Sequence, residues 1–133
     1  MALGSFTLSL EKFQIDTKQK AVRAAKKIAM EAFKRVIMRS PVDTGRFRAN
    51  WGVSIGSPYT GSDQNGSDKS GDTTVMNSAT VAAGWNAKKS IFLMNNLAYA
   101  VPLENGHSQQ APAGMVRLTI AELQNGAAEG AIK

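Results

Sequence analysis

A chain of 133 residues with no cysteine has room for one domain with its own core, and cannot make a disulfide, a thiolate metal site or a cysteine nucleophile. Hydrophobic residues make up 43% and charged residues 20%, an ordinary globular balance, and no apolar run approaches the roughly 18–20 residues that a membrane span needs. The formal net charge of +6 is unevenly placed: residues 1–48 hold eleven Lys/Arg against four Asp/Glu, and the remaining 85 hold five against six, so the basicity belongs to one segment.

The opening "MALGSFTLSL" has neither the basic flank nor the long apolar run of a signal peptide, which predicts a protein that stays where it is synthesised. From Glu11 to Arg39 apolar residues recur at helical spacing: Ile15, Val22, Ala25, Ala29, Phe33 and Val36, widened by Ile28 and Ile37. Lys18, Lys20, Arg23, Lys26, Lys27, Lys34 and Arg35 take much of the other side. Alanine is frequent and no Gly or Pro intervenes, so propensity agrees with pattern. The spacing predicts one long amphipathic helix. Ser40 ends it, because Pro41 disfavours helical dihedrals in the residue before it.

Val42, Asp43, Thr44 and Gly45 then read as a turn. After it Phe47, Ala49, Trp51, Val53 and Ile55 alternate with Arg46, Arg48, Asn50, Gly52 and Ser54. A period of two predicts a strand over 46–55, with Arg46 and Arg48 on its wet face. The next stretch, 56–72, is "GSPYTGSDQNGSDKSGD", eleven of whose seventeen residues are Gly, Ser or Asp. Such a composition predicts a flexible loop that can be shortened without unfolding the domain.

Thr73 to Trp85 reads as a helix ending near Gly84, and "SIFLM" at 90–94 as a central strand buried on both faces. "NNLAYAVPLENGH" follows, bounded by turn formers. In the last segment Val116, Leu118 and Ile120 alternate like a strand, whereas Val116, Ile120 and Leu123 fit a helix; the helix is favoured.

Catalytic chemistry finds little to use here. His107 is the only histidine, so a triad or a multi-histidine metal site lacks its partners, and the neighbouring Ser108 is no evidence of a nucleophile–base pair. Aligning Asn65-Gly66 with the turn of a calcium loop puts Gly61 and Lys69 where ligands belong. No phosphate loop and no dinucleotide fingerprint is present. The residues imply no enzyme, no cofactor and no metal. The basic helix, extended by Arg46 and Arg48, could follow phosphates without sequence readout, but an amphipathic helix also needs a soluble outer face, and lysine serves.

Two segments are more specific. "SPVDTGRFRANW" at 40–51 and "NNLAYAVPLENGHSQQAPAGMV" at 95–116 resemble the paired signatures of the tailed-bacteriophage tail-completion or head–tail-joining (neck) family that includes lambda minor tail protein Z. The motif positions are Pro41–Gly45, Arg46, Arg48 and Trp51, then Asn95, Asn96, Tyr99, Ala100, Glu104, Gly106, His107, Ser108, Ala111, Pro112, Gly114 and Met115. Ala98 departs from the pattern, in which a proline commonly precedes the tyrosine, and the resemblance does not account for the 56–72 insertion.

The resemblance implies a non-enzymatic α+β subunit with a long N-terminal helix on a small, mainly antiparallel sheet and a C-terminal helix, in one domain spanning 1–133. It also implies a homo-oligomeric ring at the head–tail junction of the virion, assembled in the host cytoplasm beside other neck and tail proteins. DNA would pass through without sequence-specific contact. The candidate interface or motif residues are Asp43, Arg46, Arg48, Trp51, Asn95, Asn96, Tyr99, Glu104 and His107, with Arg46 and Arg48 expected to face another chain or a nearby acidic group. A tail terminator ring is the near alternative, and a non-specific nucleic-acid-binding protein is the alternative of another class.

Overall fold

The computed structural model describes residues 6–8 and 18–124. In chain order they form β1 (Phe6–Leu8), α1 (Lys18–Arg39), α2 (Arg46–Ala49), β2 (Trp51–Ile55), α3 (Asp72–Ala83), β3 (Ile91–Asn95), α4 (Ala100–Glu104) and α5 (Val116–Gln124). The architecture is α+β, with the long N-terminal helix, small antiparallel sheet and C-terminal helix that the sequence implies. The part of the first helix expected over 11–17 lies outside the described residues.

The sheet has the order β1-β3-β2, and both neighbours of β3 run antiparallel to it. Trp51 stands opposite Asn95, and Ile55 opposite Ile91. β3 is central, as its apolar run predicts. Its faces differ, however: Ile91, Leu93 and Asn95 are buried, while Phe92 and Met94 are half-buried. β1 is a strand that the pattern did not reveal.

The core lies between the inner face of the sheet and the helices. Ala25, Ile28, Ala29, Ala32, Phe33, Val36 and Ile37 of α1 meet Trp51, Trp85, Ile91, Leu93, Met115 and Val116. Their helical spacing is why α1 forms where it does: burying that stripe stabilises it more than propensity alone can. α3 lies against both α1 and β2, burying Thr74, Ser78 and Ala82, which are four residues apart. α5 settles the ambiguous C-terminal pattern as a helix, with Val116 and Thr119 buried and Leu118 and Ile120 on its exposed side.

One element is corrected. Residues 46–49 are a helical turn, and the strand begins only at Trp51. Gly45 has φ 86°, a left-handed conformation that turns the chain, and its carbonyl accepts the Ala49 N–H at 3.0 Å to close the turn. Phe47 and Trp51, read as alternate residues of a strand, are also four apart, and they meet edge-to-face at 5.7 Å. Four residues of alternation fit both periods, and the glycine decides between them.

Candidate functional site: two motif segments meet at the α2 turn

The two motif segments lie together, and their polar residues fall into two sets. The first set is spent inside the fold. Arg48 lies at the C-terminal end of α1, where backbone carbonyls have no helical partners and the helix dipole is negative. It donates to the carbonyls of Met38 at 3.0 Å, Ser40 at 2.8 Å and Lys69 at 2.7 Å. Burial lowers its pKa from the ordinary arginine value, opposed by the charge of Asp68. Its Nε is enclosed without an acceptor.

Trp51 is buried and donates its indole N–H to the Ser40 hydroxyl at 2.7 Å, while that hydroxyl donates to the Val36 carbonyl at 2.9 Å. The residue that stops the helix therefore also anchors the first residue of the strand. Asn95 donates to the Phe47 carbonyl at 2.8 Å and accepts the Leu97 N–H at 3.2 Å, which joins the two segments directly. Glu104 is 4% exposed. Its carboxylate accepts the backbone N–H groups of Met115 and Val116 at 3.0 Å each and of Arg117 at 2.9 Å. These are donors that the start of α5 would otherwise leave unpaired.

The 56–72 segment has no regular secondary structure before Asp72, which opens α3, yet it is fastened from outside at many points. Asn96 donates to the carbonyls of Tyr59 at 2.9 Å and Gly61 at 3.1 Å. Asn50 donates to the Asp63 carbonyl at 2.8 Å and accepts its N–H at 2.7 Å. Gly45 accepts the Asp68 N–H at 3.0 Å, and a methyl there would sit 2.7 Å from the Lys69 nitrogen. The ring of Tyr59 covers Gly52 so closely that any side chain there would collide with it. Asp68 accepts both the N–H and the hydroxyl of Thr74 at 2.7 Å. Burial raises its pKa, but the hydrogen bonds, those from Thr74 foremost, outweigh this and hold it below the usual aspartate value.

The second set points outward. Asp43 and His107 are exposed. Arg46 lies with its guanidinium carbon 5.9 Å from the centre of the Tyr99 ring, a cation–π distance. Tyr99 is half-buried against Phe47, at 5.6 Å between ring centres. Arg46, Asp43 and Tyr99 help to line a groove of about 290 Å³ that runs from the Pro41–Phe47 turn to Leu103, Ser108 and Gln110.

Sequence reasoning missed Gln110, whose side-chain amide pairs with the backbone of Val42, accepting at 2.9 Å and donating at 3.1 Å. It also missed Asn50, whose only signal was its position beside Trp51. No group of three or more His, Cys, Asp or Glu among the described residues could hold a metal, and no helix among them is long and apolar enough to cross a membrane.

The molecule is thus a small α+β fold that spends Arg48, Trp51, Asn95, Asn96 and Glu104 on internal hydrogen bonds and places Asp43, Arg46 and Tyr99 along one groove. Residues 5–106 match the family described as "Bacteriophage HK97-gp10, putative tail-component", and the chain belongs to that family. The match takes in the whole 40–51 segment and the later one as far as Gly106. No curated protein and no solved structure matches the chain. The family is one of tailed phages, as the two segments imply; the narrower likeness to lambda minor tail protein Z is not what the match names.

Proposed function

We propose that this chain is a structural protein of the phage neck, acting without catalysis in tail completion or head–tail joining as one subunit of a ring around the DNA passage. The observation that carries the reading is the match of residues 5–106 to a phage tail-component family. The fold supports it, because the two motif segments converge on one groove whose arginine lies over Tyr99 and finds no side-chain hydrogen-bond acceptor among the described residues. The motif likeness to lambda minor tail protein Z favours the neck over the shaft. Its partners are then further copies of itself and the adjoining neck and tail proteins. A tail terminator ring is the alternative within this class.

Labelling the chain in purified virions and counting its copies by quantitative mass spectrometry tests the reading. The expected result is a small fixed number per particle, confined to the head–tail junction. Label along the tail shaft would overturn the neck assignment, and absence from virions would overturn the structural role altogether.

A further inference from the structure

We propose that residues 57–70 form a lid, hinged at Gly56 and Gly71, that lifts and closes as one body over the outer face of the sheet while the core stays folded. The lid is a property of the free chain and does not rest on the neck reading.

Both ends of the segment can turn. Gly56 has φ 88° and Gly71 φ 81°, left-handed conformations that glycine enters and leaves at little steric cost. Hinges are a few positions of this kind that absorb a backbone change. Between them Tyr59 is the one aromatic side chain, and the rest are Gly, Ser, Thr, Pro, Asp, Asn, Gln and Lys. Lifting the segment therefore gives up little apolar contact beyond that of the half-buried Tyr59 ring. Its other fastenings are hydrogen bonds, which water can replace, and such segments open at a lower free energy than a packed core.

The closed position is a specific one. The Tyr59 ring occupies the space that a side chain at residue 52 would fill, so Gly52 is a seat for it. Gly52 stands opposite Met94, and Ser54 opposite Phe92. Opposed residues of neighbouring strands share a face, and Met94 and Phe92 are half-buried. The seat thus lies on an apolar strip of the sheet.

The same segment braces the motif turn. The Thr44 carbonyl accepts the Ser67 hydroxyl at 2.7 Å, and the Gly45 carbonyl accepts the Asp68 N–H at 3.0 Å. Thr44 and Gly45 line the groove beside Arg46. Only Ser62 separates Gly61, held by Asn96, from Asp63, held by Asn50, which ties the fastenings at the two ends together. One equilibrium then governs two surfaces: closed, the lid covers the strip and supports the groove wall; open, it does neither.

Hydrogen exchange of the full chain, followed residue by residue by NMR, tests this. The amides of Asp63 and Asp68, both bonded to the 45–50 region, are expected to share one opening constant, larger than that of the amides of β3. Tyr59→Ala, at the other end of the lid, should speed both by about tenfold or more and by the same factor, leaving β3 unchanged. The variant should also bind more of a dye specific for exposed apolar surface than the native chain does. Unequal opening constants, exchange only at the rate of the core, a Tyr59→Ala variant that speeds one amide and not the other, or unchanged dye binding would each overturn the lid. Should Tyr59→Ala fail to fold, the opening constants of the native chain decide the matter alone.

Discussion

Arg46 and Arg48 leave the same helical turn into opposite company. Arg48 reaches inward and collects the carbonyls of Met38, Ser40 and Lys69, so one side chain binds the end of α1 to the 56–72 segment. Arg46 lies over Tyr99 with no side-chain hydrogen-bond acceptor among the described residues. The division extends through both motif segments. Trp51, Asn95, Asn96 and Glu104 complete hydrogen bonds within the chain, whereas Asp43 and His107 remain exposed. A family motif is therefore a mixture: some of its residues build the surface, and others are the surface.

The sharpest way to break this division is to remove what the inner set holds. Deleting Gly61–Gly71 would leave Asn50 without Asp63, Arg48 without the Lys69 carbonyl, and Thr74 without Asp68. Several buried or half-buried groups would lose partners at once, at an expected cost of about 4 kcal/mol or more. Thermal unfolding of the deletion variant measures this. A melting temperature near the native one would show that the fastenings carry no weight, and would restore the loop as a dispensable excursion.

A smaller effect separates the arginines themselves. Arg48→Ala is expected to cost about 2–3 kcal/mol, since three carbonyls lose a charged donor. Arg46→Ala should cost less, about 0.5–1 kcal/mol, the scale of a cation over an aromatic ring. Urea titrations of the two variants read both numbers. Equal losses would erase the distinction between an inner and an outer arginine.

These contrasts show where the sequence was legible. The long helix follows from apolar spacing, the central β3 from a continuous apolar run, and the C-terminal helix from a pattern that fits a helix better than a strand. The signal for α3, ending at Gly84, is Ser/Thr caps and alanines, and it buries Thr74, Ser78 and Ala82. The Arg46–Ala49 turn did not, since four alternating residues satisfy a strand and a helix alike and the outcome depends on the backbone of Gly45. Composition described the 56–72 segment correctly as lacking core-forming residues. It also reads the segment as a flexible loop that can be shortened, and the hydrogen bonds that bear on that reading come from Asn50, Asn96 and Arg48, which lie outside the segment. The motif segments identified the right neighbourhood; which of their residues face inward depends on contacts between positions far apart in the chain, such as Asn95 with Phe47 or Gln110 with Val42.

Acid should loosen the inner set in a defined direction. The Asp68 carboxyl titrates below its usual value because hydrogen bonds from Thr74 prevail over burial. A carboxyl whose folded pKa is depressed contributes its stability above the unfolded pKa and loses it as pH falls through the folded value. The melting-temperature gap between the native chain and Asp68→Asn should thus be constant from neutral pH to about 5 and shrink below about 4. A gap that is flat across that range would mean the aspartate is not held as described.

The smallest expected effect concerns the basic face of α1, and it decides whether the outer set extends to nucleic acid. Of its cations, Arg35 and Arg39 are paired with Glu31 and Glu122, and Lys26 donates to the Ala83 carbonyl at 2.8 Å. Arg23, Lys27 and Lys34 are exposed. If these three neutralised DNA phosphates, the affinity for a duplex would fall with salt at a log–log slope of about −2.7. A wall that grips phosphates would retard DNA moving through a passage, so a shallow slope is expected, unchanged when all three are replaced by glutamine. Duplex binding by the native chain and the triple variant across a salt series measures it. A native slope of about −2.7 that collapses in the variant would move α1 from soluble outer face to DNA-contacting surface.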